Sequence, residues 1–334
     1  MTFIIAEAGV NHNGDIKLAE KLIKVASESG ADAIKFQAWK AKNLVTYNAP
    51  LAIYQKENTN GFSNQYEMLK KLELNERDHI YLKSKSEEMD IEYLSSAFDL
   101  EGLDMLNRLG LKKLKIPSGE ITNLPFLKKA GSFDWDIILS TGMSDLNEIK
   151  DALYWLQYSG KKKEDISILQ CTTQYPAPFD SINLSAMKTI SNTFNTKIGY
   201  SDHTNGITAA IAAVAMGAQI IEKHITLDRN LPGPDQKASL EPNELKVMVE
   251  SIRDTEVAIG NGLKIPNQCE ISNKDIARKS IVAKKEIKKN QYFSEDNLCT
   301  KRPGYGITPM RWFEIIGKKS NKDYMIDEII DEEK

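Results

Sequence analysis

The sequence is poor in cysteine, has no long apolar run and carries no surplus of basic charge. Its three cysteines, Cys171, Cys269 and Cys299, are odd in number and scattered, which argues against a disulfide framework or a zinc cage and fits a reducing compartment. No apolar stretch approaches the ~20 residues needed to cross a bilayer. The N-terminal run from Phe3 to Ala6 is cut by Glu7, too early for a signal-peptide core, so a cytoplasmic location and no membrane partner are expected. A net charge of −3 gives no electrostatic case for a nucleic-acid partner. A glycine-rich dinucleotide fingerprint is also missing. Gly9-Val10-Asn11-His12-Asn13-Gly14, which follows the first apolar run, does not have that spacing, and this argues against an open doubly wound sheet.

What is present is an alternation. Short apolar runs occur at Phe3 to Ala6, Ala33 to Phe36, Ile91 to Ser95, Leu114 to Ile116, Ile137 to Leu139, Ile166 to Leu169, Ile198 to Tyr200 and Gln219 to Glu222. Between them lie amphipathic stretches such as Ile16 to Ser29, Glu76 to Met89, Asp145 to Tyr158 and Ile207 to Met216. Asp15, Asn75 and Asn205 stand where caps belong. Eight strand–helix units within roughly 250 residues predict a closed (β/α)8 TIM barrel over residues 1–262. One connection, Lys40 to Lys71, is long for such a fold, and a loop of that kind is expected to serve as a lid. The Gly-, Asn- and Pro-rich stretch beginning at Gly260 reads as a break, with a linker over residues 263–277 and a small separate module over 278–334.

Catalysis on a barrel belongs to the C-terminal ends of the strands. The eight runs end on or near Glu7, Lys35, Ser96, Lys115, Ser140, Thr173, Ser201 and Glu222, with Ser118, Glu120, Tyr175, His203 and His224 just beyond. So many polar groups in step would be costly in a purely structural barrel. Two lysines among hydroxyls suit a phosphate or carboxylate, and two histidines on neighbouring strands could share a divalent metal in an open site. Other readings remain at this level. Lys35 and Lys115 could be a Schiff-base lysine and its neighbour, Glu7 could simply pair with Lys35, and His203 could be a core histidine bonded to a carbonyl. His79 lies in a polar helical stretch and is expected to be solvated, while His12 is undecided.

These residues also form a familiar pattern. Ile5 to Gly14, Lys115 to Glu120, Leu139 to Met143, Gly199 to Thr204, Glu222 to His224, Pro232 to Asp235 and Lys301 to Gly304 together resemble the sialic acid synthase family along nearly the whole chain. The resemblance implies a barrel followed by an antifreeze-like SAF domain of β-clip type, and a reaction in which phosphoenolpyruvate condenses with an N-acyl amino sugar and water, releasing phosphate. It places Lys35, Ser96, Lys115, Ser118, Ser140, Thr173 and Ser201 on phosphoenolpyruvate. A manganese-type divalent ion, with Mg2+ or Co2+ as alternatives, would sit on His203 and His224. Glu7 would manage the proton or water, with Glu120, Tyr175 and Asp235 on the acceptor. Arg302 would reach the sugar's N-acyl group from the partner subunit of a domain-swapped homodimer. The expected product is N-acetylneuraminate from N-acetylmannosamine, with legionaminate from 2,4-diacetamido-2,4,6-trideoxymannose as the alternative. A Schiff-base aldolase and a non-catalytic sugar-binding protein are the competing functions. Gln236, where many relatives carry His, puts a question mark beside Asp235.

Overall fold

The computed structural model describes residues 1–59 and 61–331. It divides into two compact units, Met1–Gly260 and a second from Asn261 onward. In the first, eight parallel strands close into a barrel in chain order. They are β1 (Phe3–Gly9), β2 (Ala33–Ala38), β3 (Glu92–Ala97), β4 (Lys113–Ile116), β5 (Asp136–Ser140), β6 (Ile166–Cys171), β7 (Lys197–Asp202) and β8 (Ile220–His224). Each of the eight apolar runs in the sequence falls on one of them.

The helices between strands form for local reasons that the sequence states. Helix Ile16–Glu28 starts at Asp15, whose carboxylate accepts from the Lys17 N–H at 2.8 Å, and buries Ala19, Leu22, Ile23 and Ala26 on one stripe. Asn75 caps helix Glu76–Glu88 in the same way, while Asp78 reaches back to the Asn75 N–H. Asn205 does not cap. Helix Thr208–Ala215 begins after Ile207 without a side-chain cap.

The pleat sorts the barrel interior into two layers. Ile5, Ala33, Leu94, Ile138, Leu169 and Ile220 form one buried apolar floor. Two residues further along the same strands come Glu7, Lys35, Ser96, Ser140, Cys171 and Glu222. Gly199 takes the floor position on β7, paired in register with Leu169. A methyl group there would stand 2.5 Å from both the Ile220 carbonyl oxygen and Leu169 Cδ2, so glycine is what lets β7 close against its neighbours.

The long insertion is helical, with segments Ala41–Leu44, Ile53–Asn58 and Gln65–Leu72. It packs its own small core of Trp39, Ala41, Leu51, Met68 and Leu72 with Val10. In the second unit, the stretch expected to be a linker carries helix Gln268–Ala277, with the Glu270 carboxylate accepting from the Asn267 N–H at 2.8 Å. Beyond it, β9 (Ser280–Ala283) pairs antiparallel with β10 (Leu298–Lys301) over a core including Ile281, Ile287, Phe293, Leu298, Tyr324 and Ile330. No helix among the described residues is long and apolar enough to cross a membrane.

Candidate active site

At the C-terminal mouth of the barrel the polar layer closes into one ion network. Lys35 Nζ lies 2.7 Å from Glu7 Oε2 and 3.7 Å from Glu222 Oε2, and donates to Ser96 Oγ at 3.0 Å. Lys115 Nζ lies 2.7 Å from Glu222 Oε1, which also accepts from Ser201 Oγ at 3.1 Å. Gln37 Nε2 donates to the other Glu7 oxygen at 2.8 Å. Register explains the convergence: Glu7 pairs with Lys35, Ser96 with Lys115, Cys171 with Ser201, and Ser201 with Glu222. Lys35, Lys115 and Glu222 are each no more than 3% exposed, so the charges persist only because they face one another.

The two lysines respond differently to this setting. Burial opposes the charge on both. Lys35 faces two carboxylates, Glu222 and Glu7, and its pKa rises. Lys115 gains from Glu222 but also meets the charge of Lys35, and its pKa falls. Glu222 is pulled well below the carboxylate range because Lys115 and Lys35 outweigh its burial. Burial raises the pKa of Glu7 from its ordinary value in spite of Lys35, and the charge of Glu222 adds to the rise. Asp235 is pushed up to about 7, first by burial and then by the Glu7 charge. Asp235 is thereby suited to carry a proton near neutrality, and the rise at Glu7 makes it a stronger base than an ordinary carboxylate.

Above the network the imidazoles of His203 and His224 face each other with ring centroids 5.5 Å apart. His203 Nδ1 lies 2.7 Å from the Thr172 carbonyl oxygen. A carbonyl can only accept, so Nδ1 carries a proton, and in the neutral ring the lone pair lies on Nε2, the tautomer a metal ligand needs. His224 Nδ1 has no hydrogen-bond partner, and Asp235 Oδ2 stands 3.9 Å away. Burial pushes His224 well below its ordinary pKa, which keeps it neutral. The pair therefore fits a divalent ion. Among the described residues no group of three or more His, Cys, Asp or Glu side chains forms a cage, so substrate or water oxygens would complete the shell. Tyr175 covers the site, its ring 4.1 Å from His203, and Tyr54 from the insertion packs on Tyr175 at 5.3 Å.

A cavity of about 290 Å³ is lined by Glu7, Lys35, Ser96, Lys115, Ser118, Ser140, Thr173, Tyr175, Ser201, His203, His224 and Asp235. All but two of the expected site residues thus share one chamber. Glu120 does not line it: its carboxylate accepts from Asn123 Nδ2 at 2.6 Å. Arg302 lies exposed in the second unit, directly after β10. A larger cavity, about 540 Å³, opens at the opposite end of the barrel around Phe3, Lys113 and Gln219, away from these groups. The insertion lines the chamber through Tyr54, Gln55, Met68, Leu69 and Leu72.

Two bland readings turn out compatible with the sharp ones, since Glu7 does pair with Lys35 and His203 does bond a carbonyl, both within the cavity. His79 is fully buried rather than solvated, with Nδ1 2.7 Å from the Tyr93 hydroxyl. Gln236 is also fully buried; it bonds the Thr226 hydroxyl and the Asn11 carbonyl and does not line the chamber. Glu222, which stands among the strand-end groups in the sequence but has no role assigned there, is the shared counter-ion of both lysines. Its signal was available, since it precedes His224 by two residues on the same face of a strand. Gln37 and Tyr54 left no comparable mark.

A closed parallel barrel whose mouth gathers two buried ammonium groups, carboxylates of divergent acidity and paired imidazoles defines an enzyme that handles an anionic substrate beside a polarised electrophile. The comparisons with known proteins agree. Residues 22–264 match the NeuB family and residues 278–333 match the SAF domain. The chain is 53% identical over 331 residues to the N,N'-diacetyllegionaminic acid synthase of Campylobacter jejuni, covering 99% of each chain. It is 47% identical to the enzyme of the same name from Legionella pneumophila, covering 95% of this chain and 90% of that one. Among solved structures it resembles the N-acetylneuraminic acid synthetase of Leptospira borgpetersenii in complex with citrate, with 34% identity, a TM-score of 0.71, and coverage of 81% of this chain and 90% of that one. The chain belongs to the NeuB family. It is a phosphoenolpyruvate-dependent enzyme that forms a carbon–carbon bond to make a nonulosonic acid.

Proposed function

We propose that the acceptor is 2,4-diacetamido-2,4,6-trideoxymannose and the product N,N'-diacetyllegionaminate, in preference to N-acetylmannosamine and N-acetylneuraminate. Full-length similarity to two N,N'-diacetyllegionaminic acid synthases carries this choice. The site chemistry supports the shared part of the reaction. Lys35 and Lys115, anchored on Glu222, offer fixed positive charge to the phosphate and carboxylate of phosphoenolpyruvate. Ser96, Ser118, Ser140, Thr173 and Ser201 supply hydroxyls around it, and Ser140 Oγ is buried without a protein partner.

In this reading C3 of phosphoenolpyruvate bonds to C1 of the open-chain sugar. The carbonyl π electrons pass to the aldehyde oxygen, which takes up a proton to become a hydroxyl, and C2 is left electron-poor. Water adds at C2, and the tetrahedral centre releases phosphate by breaking the C–O bond. Glu7 takes the proton of that water. Gln37 and Lys35 fix its orientation and its raised pKa suits the task. Tyr175 and Asp235 face the acceptor. A manganese-type ion on His203 and His224, when bound, supplies Lewis-acid polarisation of the aldehyde. Glu120, turned to Asn123, has no part in this assignment. Arg302 is assigned to the N-acyl group on the resemblance, so Arg302→Ala should raise the KM of the sugar without changing that of phosphoenolpyruvate.

The deciding experiment measures phosphate release with each sugar under matched conditions. A higher kcat/KM for the diacetamido sugar is expected. Preference for N-acetylmannosamine overturns the acceptor while leaving the family reaction in place.

A further inference from the structure

The chamber is not uniform. Its strand-borne base is charged, but its outer wall on the side of the insertion is made by Val10, Met68, Leu69, Leu72 and Phe98. This wall is the inner face of the insertion's own small core, in which Leu69 and Phe98 are half-buried. Packing holds it still. Trp39 stands edge-to-face with Phe98 at 5.8 Å and donates its indole N–H to the Leu69 carbonyl at 3.2 Å. None of these five side chains carries a hydrogen-bond donor, and the Met68 thioether is at most a weak acceptor. Polar partners in the outer chamber come instead from Tyr54 and Gln55, on the neighbouring helix Ile53–Asn58.

We infer that this apolar wall selects the acceptor at C6, favouring a 6-deoxy sugar over one with a C6 hydroxyl, and that Leu69 and Phe98 are specificity-determining residues. The inference rests on the acceptor proposed above and adds to it the group that is read and the residues that read it. A methyl group gains by leaving water for such a surface. A hydroxymethyl group brought to the same place loses its water and finds no partner. Apolar pockets reject an added hydroxyl only moderately, up to about a hundredfold, so the expected preference is graded.

The test uses two sugars that differ only at C6, N-acetylmannosamine and its 6-deoxy analogue, with the full-length enzyme. Each is scored by kcat/KM, or by its inhibition constant against the preferred acceptor where turnover is too slow. The 6-deoxy sugar should be favoured by about tenfold or more. Leu69→Asn should bring that ratio to near unity, while Leu69→Met retains it; Phe98→Asn serves if the first variant does not fold. Equal treatment of the two sugars by the unaltered enzyme, or a ratio unmoved in the Asn variants, overturns the inference. A 6-deoxy preference without a preference for the diacetamido sugar would sink the proposed acceptor and leave the wall intact.

Discussion

The two layers of the barrel interior lie two residues apart on the same strands and do opposite things. The floor of Ile5, Ala33, Leu94, Ile138, Leu169 and Ile220 holds the barrel shut by apolar packing. The layer above, with Glu7, Lys35, Lys115 and Glu222, holds charges that only each other and a substrate can satisfy. One pleat of the backbone therefore separates stability from chemistry, and variants in the two layers should fail in different assays.

The largest contrast is expected at Glu7. Glu7→Gln should lower turnover by about 10²–10⁴-fold while phosphoenolpyruvate still binds, as measured by phosphate release and ligand titration; turnover near the unaltered rate would remove Glu7 from proton transfer. Lys115→Ala should raise the KM of phosphoenolpyruvate at least about tenfold. It should also cost about 3–5 kcal/mol of stability, because the only ammonium group left beside Glu222 is that of Lys35, at 3.7 Å. Denaturant melts together with initial rates check both, and an unchanged KM would contradict the assignment.

One pleat below, Leu169→Ala should cost about 2–5 kcal/mol in the same melts and leave kcat/KM of the folded fraction close to its original value. Kinetics that fell as steeply as in the Lys115 variant would mean that the layers are not separable.

The smallest effect concerns pH. Burial holds His79 at a pKa of about 3 and His12 at about 4, both below the ordinary 6.5. The unfolded chain takes up these protons below 6.5 and the folded chain does not. Stability from these groups is therefore full above pH 6.5 and drains as pH falls towards 4, by roughly 2 kcal/mol per histidine at pH 5. His79→Gln should flatten this acid limb in melts from pH 7 to 5 and change little at neutrality. An identical slope in the variant would show that His79 does not contribute.

Much of the fold was legible in the sequence because the forces that build it are periodic. The eight apolar runs and the caps at Asp15 and Asn75 follow from local pattern, and all eight runs fall on barrel strands. The site was legible for a related reason: on a barrel, strand ends share one mouth, so Lys35, Lys115, His203 and His224 could be brought together on paper. Other features were hidden because they depend on distant partners. Around His79 helix Glu76–Glu88 opens with Glu76, Arg77 and Asp78 and reads as polar, yet His79 is buried against Tyr93 of the next strand. The run of Gly, Asn and Pro from Gly260 masked helix Gln268–Ala277 just beyond it.

By itself, then, the sequence determined the strand count, the inward face of each strand and the identity of the groups at the mouth, since alternation along a strand is a local property of the pleat. Only the tertiary structure decided that Glu222 is shared by both lysines, that the Glu120 carboxylate pairs with Asn123, and that Leu69 and Phe98 join as one wall. Those outcomes depend on register around a closed ring and on packing between residues far apart in the chain, and no short-range pattern encodes them.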